Sequence, residues 1–306
     1  MRLEGGVASG RHTSISRPDA YDPCFMSAGL GGNKSSGSWL DDSHVGNTVA
    51  VLMLFPADDA HHPLAQAFRD FIQDPAFPCV GAKSALSRDQ LRIVVARDIT
   101  SGWDDLRIYP ALLAFVSRYK REPGLFRSFA VLFESPTALS EADFERHLWA
   151  RLQSLSDKDA WLGLPYDERV EAHPDDPHFA LSFGGEGFFV VGLHPNASRR
   201  ARRFAAPALV FNLHDQFERL RAQGRYGRLR ERIVARDVAY SGSVNPMLAR
   251  HGEASEARQY SGRAVDATWT CPLKPRQEAR VDQTPQRSGS PSRTRERAKL
   301  SQGPRA

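Results

Sequence analysis

The chain has 306 residues, 41% of them hydrophobic, enough apolar mass for one large or two small packed domains. No apolar run approaches a bilayer span, the longest being Val49 to Phe55, and the first residues lack the apolar core of a secretory signal, so neither membrane nor export is expected. The net charge of +5 comes from Arg276 to Ala306, which holds eight Arg or Lys against three Asp or Glu; the remainder is balanced, and no specific nucleic-acid partner is expected.

Three cysteines, Cys24, Cys79 and Cys271, have neither the number nor the spacing of a disulfide framework or a zinc site, which fits a cytoplasmic protein. Residues 1–46 are dominated by Gly, Ser, Asp and isolated charges, and read as a disordered segment in which Cys24 has no role. From Asn47 the chain turns apolar. After His62-Pro63, the spacing of Leu64, Phe68, Phe71 and Ile72 predicts a helix that leads into Phe77-Pro78-Cys79-Val80-Gly81-Ala82-Lys83. There Pro78 holds the chain extended, Gly81 is expected to let it bend tightly, and Cys79 faces the start of a second helix. Free N–H groups from Val80 to Lys83, the positive helix end and the Lys83 ammonium would all favour thiolate, the form that binds metal or attacks. The alternative is a buried cysteine packed as a small hydrophobe.

Gln90 to Asp98 reads as a strand, Asp104 to Tyr119 as a helix and Phe126 to Phe133 as a strand. Ser140 with Asp143 caps the next helix, on which Phe144, His147, Leu148 and Leu152 share a face through Ser154; His147 reads as structural, not as a ligand. Phe179 to Phe183 and Gly187 to Leu193 form strands joined by Gly184-Gly185-Glu186, a hairpin signal. This glycine cluster does not open a helix, which argues against a phosphate loop. His194-Pro195-Asn196-Ala197-Ser198 is expected to start a helix capped by Asn196. Arg199, Arg200, Arg202 and Arg203 then crowd its positive end, a misfit relieved by a bound anion or a solvated face. Ala208 to Phe211 reads as a strand, and Asp215 to Gln223 and Tyr226 to Val238 as charged helices. The expected fold is α+β: one domain over 47–275, with a mixed or antiparallel sheet covered by helices. Residues 276–306 read as a disordered basic tail, dispensable for folding to within roughly 1 kcal/mol.

Several of these blocks, taken in order, resemble the YqcI/YcgG family. They are Phe77-Pro78-Cys79, Asp176-Pro177-His178-Phe179, Gly187 to Arg199, Leu209-Val210-Phe211-Asn212 with Gln216-Phe217-Glu218, Asn245-Pro246-Met247 and Arg258-Gln259-Tyr260-Ser261-Gly262. The resemblance runs from about Phe68 to Cys271. That family includes haem-dependent N-oxygenases. It implies a haem-dependent monooxygenase that uses molecular oxygen and an external electron donor to N-hydroxylate an amine or guanidine nitrogen of a small amino-acid-like substrate. Cys79 becomes the expected axial ligand, as a thiolate, and Arg199 and Arg202 the expected partners of haem propionates or a substrate carboxylate. Rival ligands stay open: Cys271, which precedes Pro272, and His178 or His194, which with a carboxylate would suit non-haem iron. His194 is otherwise a strand-to-helix corner with a hydrogen-bonded structural side chain. Asp98, Asp215 and Glu218 are candidates to meet a basic nitrogen. A non-catalytic haem-binding or haem-sensing protein is the alternative function.

Overall fold

In the computed structural model the described residues are 59–249 and 252–276; the disordered segments expected over 1–46 and 276–306 lie outside them, except for Arg276. Helix α1 (Pro63–Gln73) begins where His62 caps it, Nδ1 accepting from the Leu64 amide at 3.2 Å, and Pro63 sits where an N–H would have no helical partner. The elements that follow are α2 (Val80–Ser87), β1 (Leu91–Asp98), α3 (Asp105–Arg121), β2 (Ser128–Ser135) and α4 (Glu141–Trp161). Then come the hairpin β3 (Leu181–Phe183) and β4 (Glu186–Leu193), β5 (Ala208–Leu213), α5 (His214–Ala222), α6 (Tyr226–Ser241) and the single turn α7 (Ala257–Tyr260).

The five strands form one sheet in the order β1-β2-β5-β4-β3. The β1–β2 pair is parallel, with α3 as its crossover, and the other three pairs are antiparallel. The sheet is therefore mixed and carries helices, as the sequence implies. At the hairpin, Gly184 and Gly185 both adopt left-handed backbone (φ +59° and +78°), which a two-residue turn of matching twist requires.

Strand residues alternate faces, so the sheet sorts its apolar side chains into two cores. On one face Val94, Phe129, Val131, Val190, Leu209 and Phe211 pack beneath α3 and α4. On the other, Ile93, Val95, Ala130, Leu132, Leu193 and Ala208 meet Phe68 and Ile72 of α1 together with Phe77 and Phe204. Gly192 shows how tightly the first face is filled: a Cβ there would lie 2.7 Å from Leu148 and 2.8 Å from Phe144 of α4, and 2.9 Å from the Tyr260 carbonyl.

Several local expectations need correction. Helix α4 runs seven residues past Ser154, because Leu155 and Asp159 also face inward. Phe126 lies before β2 and has a positive φ of +67°, which no strand residue adopts. The helix expected after His194 does not form. Only Arg200–Arg202 makes a 3₁₀ turn, and the Asn196 amide donates to the Leu139 carbonyl at 2.9 Å instead of capping. Finally, Arg276 does not belong to a dispensable tail. Its guanidinium pairs with Asp159 at 3.3 Å and donates to the Asp159 and Leu164 carbonyls, and Asp159 is fully buried.

Candidate functional site

The Phe77-Pro78-Cys79 turn is held at three points. Asp74, the residue that ends α1, accepts from the Phe77 amide at 2.9 Å through its carbonyl and from Ala76 at 2.8 Å through its carboxylate. From α6, Arg236 donates to the carbonyls of Pro75 and Phe77. Cys79 itself is the N-cap of α2, and its Sγ accepts from the Ala82 amide at 3.4 Å. The sulfur therefore sits at the helix start, as the sequence predicts.

Two details differ. Gly81 has ordinary helical backbone as the second residue of α2, and a Cβ there would make only ordinary contacts, 3.8 Å from Sγ and 3.9 Å from the Phe126 ring. The Lys83 ammonium turns away from the sulfur to the Asp74 and Gln73 carbonyls. Burial pushes the Cys79 thiol up, and the Ala82 and Gly81 amides and the Arg202 charge offset this only in part. In the protein without a bound partner desolvation thus outweighs the helix end and favours the thiol.

Cys79 opens onto a cavity of about 310 Å³ between the second face of the sheet and helices α1, α2, α5 and α6. Its walls are mostly apolar, with Phe68, Phe71, Phe77, Phe126, Phe189 and Phe217 among them, and that size is at the low end for ligand pockets. The charged residues among its described lining are Arg199, Arg202 and Asp237, and no histidine is among them. Arg202 donates to the Gly192, Tyr260 and Gln259 carbonyls at 2.9, 3.2 and 3.0 Å. No carboxylate among the described residues forms an ion pair with it, and burial brings its guanidinium down to about 10. Arg199 instead pairs with Asp237 through Nε at 2.9 Å and through Nη2. Arg200 lies over the Tyr240 ring at 4.4 Å, and Arg203 donates to the Ala197 and Ser198 carbonyls. The four arginines thus find separate partners, and with no α-helix there is no dipole for them to oppose.

Phe126 is fixed in its left-handed conformation from both sides. Gln216 accepts from the Arg127 amide at 2.6 Å and donates to the Arg127 carbonyl at 2.7 Å, while Arg88 lies 5.2 Å from the Phe126 ring centroid. Strained backbone that is clamped in this way and lines a cavity marks a position where shape is constrained.

The rival ligands lie elsewhere. Cys271 packs against the core of the first face, and burial pushes its thiol up to about 12. His194 is buried and stacked on Phe144 with ring centroids 4.4 Å apart, and its Nδ1 has no hydrogen-bond partner among the described residues, contrary to the hydrogen-bonded role expected of it. His178 is in an exposed loop beside Asp176. Among the described residues no three His, Cys, Asp or Glu side chains converge as metal ligands, so the pairing of two histidines with a carboxylate finds no support. Asp98, Asp215 and Glu218 are not among the lining residues; Asp215 is bound to Tyr119, Arg169 and Arg219, and Glu218 to Arg221. Asp237, which the sequence reading passed over, does line the cavity. It carries no local signal on a charged helix. Asn212, Gln216 and Asn245, in contrast, lie in the blocks singled out above and converge here.

No helix among the described residues is long and apolar enough to cross a membrane. No solved structure matches the chain. It is 30% identical to the uncharacterised protein YcgG of Bacillus subtilis (strain 168) over 193 residues, which cover 60% of this chain and 75% of the relative. Against the uncharacterised protein YqcI of the same organism it is 29% identical over 196 residues, or 60% and 74% of the two chains. The YqcI/YcgG family matches residues 68–274, a stretch that contains the whole sheet, the Cys79 turn and the cavity built between them, and the chain is a member of that family.

Proposed function

We propose that the chain is a haem-dependent monooxygenase that N-hydroxylates an amine or guanidine nitrogen of a small amino-acid-like substrate. The observation that carries this reading is the placement of Cys79, whose sulfur stands at a helix start on an apolar cavity whose described lining has no histidine. The residues there suit the group: a soft sulfur donor, phenylalanine walls, and in Arg202 a cation that meets carbonyls but no carboxylate. When bound, haem would supply the activation of molecular oxygen, with electrons from an external donor.

The chain's own residues do the rest. Cys79 would give up its proton on binding the iron, and the Ala82 and Gly81 amides with the Arg202 charge would hold the resulting negative charge. Arg202 is also the residue to pair a propionate, since Arg199 already has Asp237. The phenylalanine walls exclude water, and Arg236 keeps the turn that carries Cys79 fixed to α6.

The test is to purify the protein with added haem and record the reduced carbonyl spectrum, then follow oxygen consumption with amino acids and amines. A thiolate-type band is expected in the wild type and in Cys271→Ser, and its loss in Cys79→Ser, which keeps the size but not the soft donor. If the Cys271 variant loses the band instead, the ligand assignment is wrong. A thiolate spectrum with no oxygen consumption would favour a haem-binding or haem-sensing role over catalysis.

A further inference from the structure

Helix α6 lines the cavity with Leu229, Ile233 and Asp237, while its other side faces solvent and has no task in the reading above. Residues 214–241 hold seven arginines against four acidic residues. Three of those acids are already engaged: Asp215 with Arg169 and Arg219, Glu218 with Arg221, and Asp237 with Arg199. Arg225, Arg228 and Arg232 are exposed and Arg230 is half-buried, and among the described residues no carboxylate pairs with any of them. Because charge over residues 1–275 is balanced, this face is a local positive field and not a reflection of net charge.

The arrangement is unfavourable for the helix itself. Arg228 and Arg232 stand one turn apart on the same side, where like charges repel. Helix α6 has neither a side-chain cap nor an acidic residue in its first turn to meet them. Local folding therefore does not account for the placement. No large apolar side chain of α6 is exposed, so the face suits a brief, charge-steered contact with an acidic partner, and a second copy of it would be repelled.

Position gives such a contact a use. A partner seated on α6 would stand one helix diameter, about 10 Å, from the cavity. Arg236 of the same helix already reaches the Pro75 and Phe77 carbonyls in the turn that carries Cys79. N-hydroxylation consumes two electrons and two protons with each O2: one oxygen atom enters the N–H bond and the other leaves as water. We infer that the outer face of α6, centred on Arg228 and Arg232, is the docking surface for the electron donor, a small acidic one-electron carrier protein. Two copies of the carrier dock in turn for each turnover, and each is oxidised by one electron.

This assignment rests on the proposed function for the use made of the electrons, but the docking itself is measured without it. The full chain, free of haem, is titrated at low and at physiological salt with oxidised plant-type ferredoxin and with flavodoxin, by calorimetry and by surface-binding kinetics. At least one carrier should bind, with an association rate that falls roughly tenfold or more as salt rises. Arg228→Glu combined with Arg232→Glu should slow that association by roughly tenfold or more, while the melting temperature holds or rises because acids suit a helix start. Weaker docking in a protein at least as stable cannot come from loosened packing. The same charge change at exposed Arg118 and Arg146, on α3 and α4 over the other face of the sheet, should leave association within about twofold. After haem is added, the α6 variant should be reduced slowly by the carrier and at the wild-type rate by dithionite. The inference is overturned if neither carrier binds, if both pairs of reversals slow association equally, or if duplex DNA or phosphatidylserine vesicles bind α6 more tightly than either carrier. The two readings fail separately: a thiolate-type haem spectrum with docking indifferent to α6 sinks this surface alone, whereas α6-dependent docking on a protein that never takes up haem sinks the haem reading alone.

Discussion

The two faces of the sheet are built from the same five strands, yet one is closed and the other holds a cavity. On the closed face the phenylalanines interlock: Phe211 meets Phe129, Phe183 and Phe188 at centroid distances of 5.9 to 6.1 Å, and α3 and α4 cover them with long buried stripes. On the open face α1 and α2 are short, the 195–203 segment winds as turns, and α6 covers the space between without burying any residue of its own. Alternation along each strand thus assigns stability to one side and a binding volume to the other. Both cysteines described here have thiols raised by burial, but only Cys79 faces the cavity.

If this division is right, matched truncations should differ across the sheet. Phe211→Ala on the closed face should cost about 3–5 kcal/mol in urea unfolding, because nothing can collapse into the void. Phe71→Ala on the open face should cost only about 1 kcal/mol, since its ring already borders empty space. Equal losses would show that the open face is packed as tightly as its counterpart.

A smaller effect concerns Arg276 and the buried Asp159, which also accepts from the Tyr109 hydroxyl at 2.7 Å and the Gly184 amide at 2.9 Å. Ending the chain at Pro275 should cost about 2–3 kcal/mol relative to ending it at Gln277, low for an orphaned buried charge because Tyr109 and Gly184 still donate. Burial raises the Asp159 carboxyl despite these partners. Its proton is therefore held more tightly when folded, so its contribution favours folding at pH below the unfolded carboxylate value and is lost as pH rises through the folded one. Asp159→Asn should remove that slope from a series of unfolding midpoints against pH, and Arg276→Gln should extend the slope to higher pH.

The smallest expected effect is kinetic and compares the two thiols. In the haem-free protein, alkylation by iodoacetamide should stay slow at neutral pH for both, with Cys271 reacting fully only towards pH 12. Arg202→Met should slow Cys79 further at a given pH, because it removes a positive charge that favours the thiolate, and should leave Cys271 unchanged. A faster Cys79 in that variant would mean that Arg202 acts by shielding and not by charge.

Much of this molecule is legible one segment at a time. The apolar runs read as strands over 90–98 and 187–193, the paired glycines of the hairpin, the Ser140 cap and the cysteine at the head of α2 are each set by neighbours within a few residues, so sequence finds them. The blocks around Cys79, Asn212, Gln216 and Asn245 were also recognisable in order, though nothing local says that they surround one space. Where the reading went wrong, a distant partner decided. The arginines after His194 were read against a helix dipole, but contacts with Asp237, Tyr240 and the Gly192 and Tyr260 carbonyls hold them instead.

The sequence by itself therefore determined most of the elements, the mixed α+β class and the family, because periodicity, capping and turn chemistry act over a few residues. Only the tertiary structure decided that Cys79 and Cys271 belong to opposite faces of the sheet, that Asp237 and not Asp98, Asp215 or Glu218 reaches the cavity, and that Arg276 is part of the core. It also decided that burial pushes the Cys79 thiol up, since desolvation depends on how much protein surrounds a group, a quantity set by chain segments far away in sequence.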